Sequence, residues 1–236
     1  MAGSRSYQSV SRRELLKLAP VLAVGAFAVP PLQPALLSRG VELSDWAAAR
    51  WFRRGHLAPT FPDASVVPLN RFPLNSYLAD DPGVDLEAWT LRVDGEVSKP
   101  GEYTLERIRG LTPVKQNTRH VCVEGWDVIG SFGGTPIATL LADAGADTRA
   151  RFLSFSCADD YYESLDMASA LHPQSLLCYD MHGAPLSREH GAPLRLILPT
   201  KIGYKSAKYL TSLTVTNVLS RRGYWEDQGY SWFNGL

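Results

Sequence analysis

The chain has no C-x-x-C pair, no C-x-x-C-H and no H-E-x-x-H anywhere in its 236 residues. Covalently attached c-type haem and the standard zinc sites are thereby excluded, and no haem is expected. Cysteine itself is scarce, limited to Cys122, Cys157 and Cys178. An odd number leaves at least one thiol unpaired even where disulfides form. Neither sign of charge is in excess, with Lys plus Arg and Asp plus Glu both at 24. The basic surplus of a nucleic-acid binder is missing, so no nucleic-acid partner is expected. There is no internal repeat and no low-complexity tract. The apolar run from Leu18 to Val29 falls short of the roughly 20 residues that a spanning helix needs.

What is present is ordinary for a folded protein: 45% hydrophobic residues and 20% charged, enough for one large domain or two tightly joined ones. Sixteen prolines and nineteen glycines imply many turns and short strands. The N-terminus carries Ser11-Arg12-Arg13-Glu14-Leu15-Leu16-Lys17, then the apolar run, then Ala26-Phe27-Ala28. That order of arginine pair, apolar run and A-x-A site resembles a twin-arginine export signal. Residues 1–28 are therefore read as a signal peptide, 29–65 as an N-terminal extension and 66–236 as the folded domain, and the expected location is the periplasm. This route carries proteins that have already folded, often around a cofactor, so the address itself raises the expectation of a complex cofactor.

Periodicity predicts a helix over Leu43–Arg54, a strand over Trp89–Val93 and a short helix over Thr104–Gly110 with Thr104 as its cap. Thr135-Pro136 opens a helix that reaches Asp143 and stops at Gly145. Arg151–Ala158 reads as a strand. Asp166 caps a short helix, MASALH, and Leu176–Met181 is a strand turned by His182-Gly183. Arg195–Leu198 is a buried strand and Leu210–Val218 a strongly β-patterned run. Short strands dominate, which predicts a mixed, β-rich α+β domain rather than a doubly wound sheet.

Two stretches carry candidate chemistry. NTRHVCVEGWD, residues 117–127, sets Cys122 between Arg119 and His120 on one side and Glu124 and Asp127 on the other, at a strand end or in a loop. Such a thiol is a core residue, half of a disulfide, a nucleophile activated by His120 or His190, or a soft metal ligand. REHGAPLRLILPTKIGYKSAKYL, residues 188–210, holds Arg188, His190, Arg195, Lys201, Lys205 and Lys208. Its cations suit a phosphate or an anionic ring system, or they form a solvated basic face. Gly191 and Gly203 would let backbone amides approach a ligand. The aromatics Tyr161, Tyr162 and those of GYWEDQGYSWFNGL either line an entrance or seal a core.

Together, RHVCVEGWDVIGSFGGTPIATLL, LLCYDMHGAPLSREHGAPLRLILPTKIGYKSAKYLTSL and WTLRVDGEVSKP resemble the molybdopterin-dependent oxidoreductases of the sulfite oxidase family, in particular its exported bacterial members. The resemblance covers residues 66–236. It implies a sulfite-oxidase-type molybdopterin-binding domain and a molybdenum–molybdopterin cofactor whose metal is ligated by Cys122. It places Asn70, Arg71 and Phe72 in an early cofactor-contacting segment. His190, Arg195, Ser206, Ala207 and Lys208 match positions that bind the pterin and its phosphate. Cys157 stands where some relatives have a cofactor-lining Thr, so its role departs from the pattern, and a Cys157–Cys178 disulfide also stays open. The implied activity is oxygen-atom transfer on a small S- or N-oxygenated substrate, by sulfite-type oxidation or sulfoxide-type reduction, with Arg119 steering that substrate. Electrons would be exchanged with a separate partner, a membrane or soluble cytochrome. A non-catalytic pterin- or anion-binding module of the same fold is the alternative.

Overall fold

The computed structural model describes residues 33–52, 55–76 and 81–236; the export signal read at residues 1–28 lies outside them. Two units are distinguished, Met1–Ser44 and Asp45–Leu236. The described part of the first is helical, being the front of α1 (Gln33–Trp51). This helix starts well ahead of the Leu43 expected from periodicity. A proline is tolerated in a first turn, and Ala and Leu are strong helix formers, so PALL at residues 34–37 extends it. The second unit takes in Asp45–Ser65, the later part of the stretch set apart in the sequence as an extension.

In chain order the strands are β1 (Thr90–Gly95), β2 (Gly101–Thr104), β3 (Val114–Val121), β4 (Asp127–Pro136), β5 (Phe152–Cys157), β6 (Tyr162–Asp166), β7 (Leu176–Met181), β8 (Ala184–Pro185), β9 (Arg195–Ile197) and β10 (Leu210–Thr216). Four short helices join them: α2 (Leu105–Gly110), α3 (Ile137–Asp143), α4 (Met167–Ala170) and α5 (Tyr224–Asp227). One sheet runs β2-β1-β10-β5-β6 and the other β3-β4-β7-β8, with β9 also paired to β7. Among the described residues only the β1–β10 pair is parallel. The fold is thus the β-rich α+β architecture that short strands and brief helices predict.

Side-chain alternation explains the first sheet. In β1, Leu91 and Val93 are buried while Arg92 is exposed, the period of two of a strand with one covered face. Those two residues join Leu153, Leu213 and Val215, with Ile137, Leu140 and Leu141 of α3, in the larger core. A smaller core gathers Phe72, Phe132, Leu176, Cys178, Met181 and Ile197 on the second sheet. Helix starts are set locally. The Thr104 side chain accepts from the Arg107 N–H at the head of α2, and Asp166 accepts from the Ser169 N–H at the head of α4. Each satisfies an orphan donor of a first turn.

Strand β4 is the main element that periodicity did not predict. Its sequence, DVIGSFGGTP, carries three glycines, which weaken a strand and hide its pattern. The space around them is already taken. A Cβ at Gly130 would meet the Phe132 and Phe72 rings, and one at Gly134 would collide with the Leu177 carbonyl of β7. By contrast, a Cβ at Gly101 meets nothing within 4 Å. Gly134→Ala is therefore expected to cost roughly 1–3 kcal/mol, the range for overpacking a filled site, and to lower the melting temperature. Gly101→Ala should leave the melting temperature close to that of the parent. Paired thermal melts check both.

Candidate active site

Cys122 closes the neck of a hairpin. Strands β3 and β4 pair antiparallel to Val121↔Asp127, and beyond them the Cys122 N–H donates to the Trp126 carbonyl at 2.8 Å. The loop then turns through Gly125 at φ 91, a left-handed position suited to glycine, as in three-residue hairpin loops. The thiol is thus held on a rigid turn, as the strand-end reading anticipated. It faces a cavity of about 520 Å³. Asn75 donates its side-chain amide toward Cys122 Sγ at 3.5 Å. Glu124 lies 3.9 Å from the same sulfur and accepts from Trp126 Nε1 at 3.2 Å.

The floor of this cavity is cationic. Arg195 enters from β9 and lines the cavity with Ser206, Ala207 and Lys208. Its guanidinium is buried and donates to the carbonyls of His190 at 2.9 Å and Ser206 at 3.1 Å. Ser206 in turn accepts from the Leu198 N–H at 3.1 Å, and Leu196 N–H donates to the Ala207 carbonyl at 2.8 Å. Lys208 donates to the Glu189 carbonyl at 2.6 Å. Among the described residues no carboxylate forms an ion pair with Arg195 or Lys208. Burial, and then the Arg195 charge, pull the Lys208 ammonium down to about 7, against Asp159 and Glu189. Burial and the same two cations push His120 down to about 3. His190 falls to about 4 by burial, Arg195, Lys208 and His182. Both imidazoles are neutral at physiological pH. An arginine and a lysine on one cavity, neither ion-paired to a carboxylate, suit an anionic ligand, since a buried charge is costly unless compensated.

The basic cluster of the sequence is therefore divided by the fold. Arg195 and Lys208 face the cavity. Lys201 is buried, donates to the Phe233 carbonyl at 2.6 Å, and is pushed down to about 7 chiefly by burial. Lys205 is buried between Glu163 and Glu226. Arg188 pairs with Asp81 at 3.4 Å.

Other sequence candidates sit beside or away from the cavity wall. Phe72 is buried edge-on to the His190 ring, with centroids 5.6 Å apart, and tilted to His120 at 6.2 Å, so it backs both imidazoles. Asn70 and Arg71 lie exposed on a single 3-10 turn, Leu69–Arg71, and neither lines the cavity. Cys157 is buried at the end of β5 and does not line it either, whereas Asp159, two residues on, does. Arg119 is turned away. It neighbours His120 on β3, where adjacent side chains take opposite faces, and it pairs with Asp127 at 3.2 Å. All three cysteines are free, and Cys157 and Cys178 belong to different sheets, so the disulfide left open by the sequence is absent. The aromatics divide as well: Tyr161, Tyr224, Trp225 and Tyr230 line the cavity, while Phe233 is buried. Asn75, Ser76 and Asp159 are cavity residues that sequence reasoning missed, Asn75 the one that reaches the thiol. A second Asn five residues beyond Asn70 was the only signal, and the approach of residue 75 to residue 122 is a tertiary contact.

The chain matches the family described as oxidoreductase molybdopterin binding domain over residues 78–225. It belongs to that family, the sulfite oxidase-like molybdopterin-binding proteins, and it is an oxidoreductase. It is 46% identical over 186 residues to YedZ1 of Azospira oryzae, provisionally named a protein-methionine-sulfoxide reductase subunit, across 78% of this chain and 70% of that one. It is 33% identical over 144 residues to MsrP of Xanthomonas campestris, a protein-methionine-sulfoxide reductase catalytic subunit, across 54% of this chain and 45% of that one. The chain thus spans less than half the length of the latter. Among solved structures, the sulfane dehydrogenase SoxCD from Paracoccus pantotrophus is similar in fold, with a TM-score of 0.54 at 21% identity over 57% of this chain and 40% of that one.

The three thiols differ in their surroundings. Burial pushes Cys178 up to about 12, and it raises Cys157 well above its ordinary value, with Asp159 and Glu163 adding to the rise. The thiolate is the reactive species, and only Cys122 lines the cavity. In folded protein made without cofactor, iodoacetamide should alkylate Cys122 well before Cys157 or Cys178, as peptide mass spectrometry would record.

Proposed function

We propose that the chain carries one molybdenum–molybdopterin, ligated through Cys122, and reduces a small or protein-borne sulfoxide by oxygen-atom transfer. The observation that carries this reading is the joining, in one cavity, of a soft thiol with two cations that lack a carboxylate partner. A soft sulfur donor suits a sulfur-rich metal centre, and an uncompensated Arg–Lys pair suits a phosphate. Bound there, the cofactor supplies two-electron oxygen-atom exchange, and the protein supplies position and electrostatics. The names of the relatives YedZ1 and MsrP favour methionine sulfoxide as the substrate class and reduction as the direction.

Each residue then has a task. Cys122 holds the metal through its sulfur, and the Asn75 amide, 3.5 Å from that sulfur, orients it by donation. Arg195 and Lys208 hold the phosphate together with the backbone of Ser206 and Ala207. His190 is buried off the cavity wall, backed by Phe72, and supplies the carbonyl that orients Arg195 at 2.9 Å. Gly203 keeps the wall open, because a Cβ there would lie 2.8 Å from His120 Nε2. Asn70 and Arg71 act through the placement of Phe72, and Cys157 through the placement of Asp159. Arg119, bound to Asp127 on the other face of β3, has no part in steering substrate.

Residues 1–28 serve as a twin-arginine signal that delivers the loaded protein to the periplasm, residues 29–65 follow as an extension, and 66–236 form the cofactor domain. Electrons come from a separate partner, a reading in keeping with the word subunit in both relatives' names.

Protein purified from cells able to make the cofactor should contain one molybdenum and one pterin per chain by metal analysis and pterin fluorescence. Cys122→Ser should fold with an unchanged circular dichroism spectrum and lose methionine sulfoxide reduction to background; undiminished turnover would contradict the assignment. Replacing Arg12 and Arg13 by Lys should retain the protein in the cytoplasm, as cell fractionation would show.

A further inference from the structure

One wall of the cavity belongs to neither sheet. It is contributed by the C-terminal strap, residues 224–236, through Tyr224, Trp225 and Tyr230. Their rings meet edge to face, with centroids 5.3 Å apart for Tyr224 and Trp225 and 5.2 Å for Trp225 and Tyr230. Tyr204 meets Tyr230 in the same way at 5.9 Å.

Buried charges tie this strap to the domain. Lys205 bonds the Glu163 carboxylate at 2.6 Å and also donates to Glu226, the neighbour of Trp225 in α5. Asp45 accepts from the N–H groups of Trp232 and Phe233, both at 3.0 Å. Lys201 donates to the Phe233 carbonyl, and Tyr204 donates to the Ser231 carbonyl at 2.7 Å. Lys205, Lys201 and Asp45 are all buried. Burying charge is costly unless it is paired and directed, and a wall that merely sealed apolar surface would need none. The contacts give the strap one defined shape.

The remaining charge on the wall is informative. This inference rests on the reading above, in which Arg195 and Lys208 are taken by the cofactor phosphate. The carboxyl side chains on the cavity wall are Glu124 and Asp159. With Arg195 and Lys208 taken, the wall offers no further cation to an anionic sulfur oxyacid such as sulfite. The aromatic faces favour a polarisable sulfur carrying alkyl groups.

We propose that the C-terminal strap is the specificity-determining wall of the site: Trp225 and Tyr230 receive the alkyl groups of a neutral sulfoxide such as a methionine sulfoxide side chain, and Glu226, held by Lys205, is the positioning residue that sets Trp225. The test uses the full holoprotein with its molybdenum content measured in every variant. N-acetylmethionine sulfone amide, a neutral probe with the same alkyl groups on sulfur, is titrated calorimetrically, so that no turnover is needed. Trp225→Ala should weaken probe binding about tenfold, the scale of a lost aromatic contact. Trp225→Phe should restore most of it, and Glu226→Gln should give an intermediate loss. In steady-state assays KM for the sulfoxide should rise more than kcat falls, and sulfite should bind no more weakly than to the parent. Unchanged probe affinity in both Trp225→Ala and Tyr230→Ala, or an equal loss of probe and sulfite binding, overturns the proposal. Should Glu226→Gln not fold, the Trp225 pair still decides. A parent protein that binds the probe but holds no molybdenum would instead sink the cofactor reading.

Discussion

The site depends on one buried cation. The Arg195 guanidinium is satisfied by backbone carbonyls, not by a carboxylate, and those carbonyls belong to His190 and Ser206. One side chain therefore joins the turn before β9 to the segment that follows the 3-10 turn at Gly203–Lys205, and its positive charge is left facing the cavity. Desolvating an unpaired charge costs several kcal/mol. An anion bound there offsets part of that cost, and whatever binds the native state alone stabilises it. The binding of such an anion and folded stability would be coupled by the same residue that shapes the pocket.

Around this cation the two sheets divide the work. The second sheet supplies the metal-ligand candidate from the β3–β4 hairpin and Arg195 from β9. The first supplies the large core and, beyond β5, Asp159. The C-terminal strap adds the aromatic wall and is fixed by charges buried beneath it. Catalytic and binding groups on loops held by a rigid scaffold are a common arrangement, and here the rigidity comes from ionic and backbone hydrogen bonds as much as from apolar packing.

Much of the fold was legible in the sequence. Thr104 and Asp166 cap the helices they were expected to cap, and β7 spans Leu176–Met181 as predicted, because caps and alternation are local physics. Strand β4 was not legible, since Gly130, Gly133 and Gly134 present no side chain to alternate. Their reason for being glycine lies in rings and backbone contributed by Phe72 and by β7. Strand β6, YESLD, was likewise passed over. Its burial pattern, iBBBi, is a run of three and not an alternation, and Glu163 is buried where it meets Lys205.

By itself, the sequence determined the class of the protein, the turn that carries Cys122, and the presence of cations enough for an anionic ligand. It could not say which cations would serve. Arg195 and Lys208 reach the cavity, while Lys201 and Lys205, only a few residues away, are buried under the C-terminal strap and Arg188 turns to Asp81. Nor could it select Asn75 over Asn70, or remove Arg119 from the site. In each case the direction of a side chain is set by partners from other segments of the chain, as Glu163 sets Lys205 and Asp81 sets Arg188, or by which face of a paired strand it occupies, and only the tertiary structure decides that.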